Sequence, residues 1–355
     1  MKRFIFFVLA VFLSLPLFSQ VRGHINIPNL EGFITLKCDF HMHTVFSDGA
    51  VWPTVRVNEA YREGLDAISI TEHIEHRPRL ADVVGSHNRA YEVAQSTAQS
   101  RGIILIRGSE ITRPMPPGHI NAIFLTDSEA LDKPDYMDAL RAAKAQGAFI
   151  FWNHPGWGAQ QPDTTLWFDI HTRLLEEGML HGIEVVNDGN YYPEAHQWCL
   201  EKNLTIIGNS DAHDPMPVFA PGSYRPMTLV FARTATAEGI HEALKERRTA
   251  AFNNNNVIGK EVHLKELMDK ALEKTIERTG NTVRIVFQNN SDLTFRISKA
   301  NHDPRFGFRS FTIVPNGRYS FSFRADEGSR VEDANFIVDN FLVGPNKGMK
   351  YTIKF

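Results

Sequence analysis

From residue 34 to about residue 232, short apolar runs alternate with stretches of helical period. The runs are "ITLKCDFH" (34–41), "LDAISITEH" (65–73), "GIILIRGSE" (102–110), "HINAIFL" (119–125), "GAFIFWNHP" (147–155), "GIEVVND" (182–188), "LTIIGNSDAH" (204–213) and "MTLVFA" (227–232). They show little in/out alternation, as expected of strands buried on both faces of a parallel sheet. Between them, "VRVNEAYREG", "DVVGSHNRAYEVAQSTAQSRG", "PDYMDALRAAKAQG" and "TAEGIHEALKERR" carry helical patterns. Thr236 offers an N-cap and Gly147 stands just past a helix end. Repeated βα units of this kind predict a closed or nearly closed α/β barrel.

From about residue 281 the helical period disappears. "NTVRIVFQNNSDLTFRIS", "SFTIVPNGRYSFSFRADEG" and "ANFIVDNFLVG…MKYTIKF" read as strands broken by turns such as Pro315-Asn316-Gly317. They predict a small all-β sandwich over 281–355. "KEVHLKELMDKALEKTIE" (260–277) reads as a helix and predicts a helical linker over 259–280. The barrel would then occupy 34–258, preceded by an arm at 21–33, and "NNNN" (253–256) is a polar loop.

The first twenty residues depart from this texture. Lys2 and Arg3 precede an apolar run from Phe4 to about Leu13, and Ser14, Ser19 and Gln20 follow. This is the layout of a cleavable secretory signal peptide over 1–20, too short and too interrupted by Pro16 for a span. A periplasmic or secreted protein without a stable membrane anchor is expected. Cys38 lies in an apolar strand pattern and Cys199 in a helical one; two buried free thiols are expected, with one disulfide as the alternative. Hydrophobic content of 43% and charged content of 22% fit an ordinary globular chain. A net charge of −3 without a dense basic run predicts no nucleic-acid partner, and it leaves oligomeric state open.

The chemistry begins at "KCDFHMHTVFSDG" (37–49). With 15 His in 355 residues, a His-x-His arises by composition about 0.6 times, so the pair alone is weak. Position changes its weight. In a parallel barrel, functional groups gather at strand C-termini. His41 and His43 end the first strand and project to one side, with Asp48 in the following loop. His73 ends the second, Glu110 the third, His154 ends "FIFWNHP", and Asp211 and His213 end "TIIGNSDAH". Mixed imidazole and carboxylate ligands suit Zn, Mn or Fe, and the absence of Cys there argues against a structural thiolate site. More than six ligands imply more than one ion. A carboxylate can bridge two ions, and two ions can hold a hydroxide and clamp a phosphoryl oxygen.

The motifs "DFHMHTVFSDG", "ISITEH", "GSEI", "GHINAIF", "WNHPG" and "GNSDAH" occur in order over about residues 34–250. Together they resemble the polymerase-and-histidinol-phosphatase (PHP) family of metallohydrolases, and within it exported, stand-alone phosphodiesterase-type members. The resemblance implies an α/β fold, a distorted (β/α)7 barrel of PHP type followed here by the sandwich. It also implies two or three divalent ions. One would take His41, His43, Glu110 and Asp211. A second would take Glu110, His119 and His154, and a third Asp48, His73 and His213. His119 enters only through the resemblance, because it starts a strand run instead of ending one. Where the family usually reads Thr-Asp-His, this chain has Thr71-Glu72-His73.

The expected activity is metal-dependent hydrolysis of a small-molecule phosphate ester, a diester ahead of a monoester. A metal-bridging hydroxide would attack phosphorus, with Glu110, Asp211, His213 and His76 as catalytic groups. Arg113 and Trp157 are candidate substrate contacts, with weaker candidates in Arg77 and Arg225. Trp152 fits a cleft wall or plain core equally. Two other readings share the residues: hydrolysis of a carbon ester, amide or carbamate, and a non-catalytic glycan- or partner-binding protein on a metal-bound scaffold. His171, His181, His196, His241, His263 and His302 sit in helical, linker or C-terminal contexts, and they read as satisfied or surface residues.

Overall fold

A computed structural model describes residues 21–325 and 331–355, and the expected signal peptide lies outside the described residues. The strands are β1 (Ile34–Asp39), β2 (Ala67–Ile70), β3 (Ile104–Ile111), β4 (Ile120–Ile123), β5 (Phe149–Trp152), β6 (Gly182–Asn187), β7 (Asn190–Tyr191), β8 (Thr205–Asn209), β9 (Met227–Ala232), β10 (Thr249–Asn253) and β11 (Asn256–Gly259). Helices α1 (Pro53–Glu63), α2 (Arg89–Arg101), α3 (Tyr136–Ala145), α4 (Asp169–Glu176), α5 (Pro193–Glu201), α6 (Ala237–Lys245) and α7 (Glu261–Ala271) lie among and after them. The C-terminal part adds β12 (Leu272–Thr279), β13 (Thr282–Asn289), β14 (Phe295–Lys299), β15 (Ser310–Ile313), β16 (Arg318–Arg324), β17 (Ala334–Gly344) and β18 (Lys347–Ile353). Among the described residues, no helix is long and apolar enough to cross a membrane.

The predicted strand runs all form strands; most are trimmed at their ends, while β9 keeps its whole run and β3 reaches one residue past its run, to Ile111. Their residues are buried almost throughout, as the unbroken apolar runs required. Thr236 caps α6 by accepting a hydrogen bond from the Gly239 N–H, and Gly147 takes a left-handed φ of 75° after α3. The sheet is mixed, however, so the strict βα repeat fails in two places. β4 runs antiparallel to both β3 and β5, and β9 runs antiparallel to β1. The run from β1 to β6 continues through a parallel β6–β8 pair. β8 then turns back toward β1 through a parallel Met42–Ala212 bridge. On its other side β8 meets β9 and β10 through side chains. Thr228 Oγ1 accepts from the Gly208 N–H and Thr249 Oγ1 donates to the Ile206 carbonyl. A Cβ on Gly208 would lie 2.7 Å from Ala251 Cβ, so only glycine allows that approach.

The C-terminal part is not a bead on a linker. The helix predicted over 260–277 stops at Ala271, and residues 272–279 become β12, paired along its length with β13. "LEKTIERT" therefore finds a ladder partner that outweighs its helix-forming Glu and Lys. β12, β13 and β16 make one sheet of three strands. β14, β15, β17 and β18 face it, and β17 pairs in parallel with β11 (Val257–Phe341, Ile258–Leu342). One 15-stranded sheet thus crosses both parts. Asn254 and Asn255, in the loop between β10 and β11, both take left-handed φ angles of 48° and 62°. That is the geometry of a tight hairpin turn, and it aims β11 at β17. Apolar residues of α7, the sandwich and the β9–β11 region form one continuous core. Cys38 and Cys199 are both buried and unbonded.

Candidate metal centre

His41, His43 and Glu110 are fully buried, and His73 and His154 nearly so, at one end of the strand run. His41 Nε2 and His43 Nε2 lie 3.1 Å apart. Each is 3.1 Å from Asp211 Oδ1 and 3.3 Å from Glu110 Oε2. Glu110 Oε1 is 2.7 Å from His119 Nδ1 and 3.8 Å from His154 Nε2. On the other side, Asp48 Oδ1 is 3.3 Å from His213 Nε2, and Asp48 Oδ2 is 3.4 Å from His73 Nε2. The rings of His73 and His213 each stack on His43 at 4.3 Å. All nine residues expected as ligands therefore meet around Glu110.

The donor set fits divalent metals. His41 Nδ1 lies 2.8 Å from Glu184 Oε1, so the proton sits on Nδ1 and Nε2 presents a lone pair toward His43. Two imidazole nitrogens and two carboxylate oxygens facing one point need a cation between them. Glu110 Oε1 and Asp211 Oδ1 are buried without a hydrogen-bond donor, which is costly unless an ion satisfies them. Burial opposes ionisation of Glu110, but His73, His119 and His41 outweigh it and hold the carboxyl well below its usual range. Without an ion, burial opposes protonation of His41 but Asp211, Glu184 and Glu110 outweigh it and raise its pKa, so a bound ion would displace the Nε2 proton.

Local structure positions these groups. Asp211 and His154 adopt left-handed φ values of 52° and 29°. Such backbone strain in residues with a Cβ persists only where surrounding contacts impose it. Buried Arg56 of α1 supplies many of those contacts. Its guanidinium donates to the carbonyls of His43, Ala212, His213 and Asp214, and so ties both ligand-bearing segments together. Glu72 accepts from the Thr44 N–H and from the hydroxyls of Thr44 and Ser47. It thereby fixes the loop that carries Asp48, which gives the longer Glu72 side chain a role. Glu184 is the third support. Besides His41 it accepts from the N–H of His154 and from the amides of Asn187 and Asn209. Neither Arg56 nor Glu184 was singled out from sequence, though a lone Glu in the apolar run "GIEVVN" was a signal.

The centre forms the floor of a cavity of about 470 Å³. Thr112, Trp157 and the β6–β7 hairpin residues Asn187, Asp188 and Asn190, with Tyr192, complete its walls. His76 stands at the rim, 58% exposed in its side chain, with Nε2 3.9 Å from Asp48 Oδ2. Trp157 is 45% exposed and packs beside His154 and His119. Arg113 does not line the cavity. Its Nε pairs with Glu75 at 2.8 Å and its remaining nitrogens donate to the carbonyls of Lys133 and Pro134. Arg225 is spent on Asp39 and Glu63, and Arg77 on the carbonyls of Phe46 and Gly85. Trp152 is core, stacked at 3.8 Å on His171. A second cleft of about 600 Å³ lies between the N-terminal arm, residues 218–227 and the sandwich, and among the described residues it holds no comparable ligand cluster.

The fold and this centre define a metallohydrolase-type chain of two parts, and comparison with known proteins agrees. A family pattern described as an Ig-like domain matches residues 270–354. A crystal structure from Bacteroides vulgatus ATCC 8482 is described as a two-domain protein containing a predicted PHP-like metal-dependent phosphoesterase. It is 52% identical over 95% of this chain and 100% of that one, with a TM-score of 0.92. The chain belongs to this family of PHP-like metal-dependent phosphoesterases. A candidate metal-dependent phosphoesterase from Bifidobacterium adolescentis ATCC 15703 is 16% identical over 58% of this chain and 95% of that one, with a TM-score of 0.43. None of the curated proteins matches.

Proposed function

We propose that the protein is an exported, metal-dependent phosphodiesterase. The convergence of the nine ligand-type side chains on the shared carboxylate of Glu110 carries this reading. The phosphoesterase description of the Bacteroides vulgatus relative supports it. The run β1–β8 would be the family's distorted (β/α)7 barrel. His41, His43, Glu110 and Asp211 would hold one divalent ion, Glu110 with His119 and His154 a second, and Asp48, His73 and His213 a third. Zn, Mn or Fe, when bound, supplies deprotonated water at neutral pH and neutralises charge on the phosphoryl oxygens.

The side chains do the rest. Asp211, held by the Asn187 amide at 3.2 Å, and His213 at the rim orient the attacking water. His76 is the exposed group in place to hand a proton to the departing alkoxide. A P–O bond forms from water as the P–O bond to the alkoxide breaks, and the products are a phosphomonoester and an alcohol. Charge favours a diester. Beyond the metal-ligating groups, the cavity wall adds the carboxylate of Asp188. Among the described residues, no Lys or Arg lines the cavity. A diester monoanion suits that balance better than a monoester dianion.

The purified mature chain, loaded with Mn or Zn, should turn over bis-(p-nitrophenyl) phosphate faster than p-nitrophenyl phosphate. Metal-dependent turnover of neither, with metal binding confirmed, would remove the phosphoesterase reading. Preference for the monoester would remove the diester part.

A further inference from the structure

The walls of the cavity differ in character from its floor. The β6–β7 hairpin pairs Val186 with Tyr191 and Asn187 with Asn190. Its turn, Asp188-Gly189, takes left-handed φ values of 46° and 78°. Two such residues make the tight turn that matches strand twist. The hairpin is braced from outside. Asn253 donates to the Gly189 carbonyl at 2.9 Å, and the Tyr191 hydroxyl bonds His196 Nδ1 at 2.9 Å and the backbone of Asn346 in the sandwich. It therefore presents a fixed set of polar groups. The Asp188 carboxylate has no hydrogen-bond or ion-pair partner among the described residues, and the Asn190 amide reaches only the Asp188 carbonyl, at 3.4 Å. Tyr192 is 9% exposed, yet its hydroxyl has no partner among the described residues. Its ring rests on Gly156, where a Cβ would lie 2.6 Å from Cδ1, so the bare glycine is what lets the ring pack there. Trp157 stands beside the metal ligands His119 and His154, with nearly half its surface free.

We infer that the cavity seats a hydroxyl-rich, uncharged organic group, a sugar or polyol, on the phosphodiester substrate, between the indole of Trp157 and the polar groups of Asp188, Asn190 and Tyr192. This inference rests on the phosphodiesterase reading. The chemistry of the wall selects the class. An anionic substituent would face Asp188 and Asp211 with no Lys or Arg to meet it. A purely aliphatic one would bury three polar groups without partners. A sugar or polyol lays its C–H face on the indole and exchanges hydroxyl hydrogen bonds with Asp188, Asn190 and the Tyr192 phenol. A quaternary ammonium needs several aromatic faces, and Tyr192 offers its hydroxyl instead of its face.

Three diesters with a common p-nitrophenyl leaving group test this: the pentyl, the 4,5-dihydroxypentyl and the choline ester of p-nitrophenyl phosphate, the diol standing too far from phosphorus for its hydroxyls to expel p-nitrophenol. With the Mn-loaded full chain, kcat/KM should favour the dihydroxypentyl ester over the pentyl ester by about tenfold or more. Asp188→Asn, Asn190→Ala and Tyr192→Phe should each shrink that ratio. Calorimetry with the non-hydrolysable methyl(4,5-dihydroxypentyl)phosphinate and methyl(pentyl)phosphinate should give the same order of affinity in the unaltered chain. Turnover of all three esters with a ratio near one, or preference for the choline ester, overturns this inference and leaves the phosphodiesterase reading intact. An unchanged ratio in all three variants also overturns it. Absence of metal-dependent turnover of every ester overturns both.

Discussion

Glu184 offers the sharpest perturbation of the proposed metal centre, because it touches the proposed ligand His41 without being a ligand itself. Its two oxygens accept from His41 Nδ1, the His154 N–H and the amides of Asn187 and Asn209. Glu184→Ala removes the acceptor of four buried hydrogen bonds, a loss of about 3–5 kcal/mol that threatens folding itself. Glu184→Gln keeps the shape and is more informative. The His154 N–H cannot rotate, so the glutamine oxygen must stay on that side. Its NH2 then faces His41 Nδ1 and the Asn209 amide, whose oxygen is held at 2.8 Å by the Phe40 N–H. His41 Nδ1 must become an acceptor, and its proton moves to Nε2, the atom aimed at Asp211, His43 and Glu110. The first ion thereby loses a lone pair. Loss of such outer support weakens metal binding by about 10–100-fold, or roughly 1.4–2.7 kcal/mol. Chelator-competition titration with Zn or Mn reads this directly, and melting in excess EDTA separates it from a loss of fold. A Gln variant that keeps unaltered affinity at every site while remaining folded would refute this tautomer account.

Three further outcomes are expected. A Cβ at Gly49 would lie 2.5 Å from the His43 carbonyl carbon and 2.6 Å from the Thr44 nitrogen, so Gly49→Ala must displace the loop carrying Asp48; metal analysis should show the weakest-held ion lost first, and full occupancy would contradict the third ligand set. Burial depresses the pKa of both His171 and His196 to about 4. Folding therefore favours their neutral forms, so their contribution is complete above the unfolded pKa of about 6.5 and falls away as pH drops toward 4, by up to about 3 kcal/mol each. Urea unfolding in EDTA should show a shallower loss between pH 7 and 4.5 for His196→Gln than for the unaltered chain; equal slopes would contradict it. A chain ending at residue 259 strips β17 from β11 and opens the shared core, so it should be insoluble or molten by near-UV circular dichroism; a folded, metal-binding product would show that the first part stands alone.

The residue pattern alone reached far into this protein. Each apolar run became a strand because burial on both faces leaves no alternative to apolar side chains. Eight of the nine residues that meet at the metal centre stood at strand ends or in the loops after them, where the parallel-strand rule directs attention. His119 was the exception, and the fold explains it. β4 is antiparallel to β3 and β5, so its N-terminal end, not its C-terminal end, opens on the same mouth. The helical reading of 272–279 failed for a related reason. Whether "LEKTIERT" coils or extends depends on β13, a partner that local propensity does not contain. Arg113 was misjudged because Glu75 and two carbonyls, close only in three dimensions, engage its guanidinium. Sequence by itself determined which side chains could bind metal and which segments would be buried, because both follow from residue chemistry and period. Tertiary structure decided strand direction, the pairing of β11 with β17, and the supports Arg56 and Glu184. Those depend on contacts between residues far apart in the chain, and no local pattern encodes them.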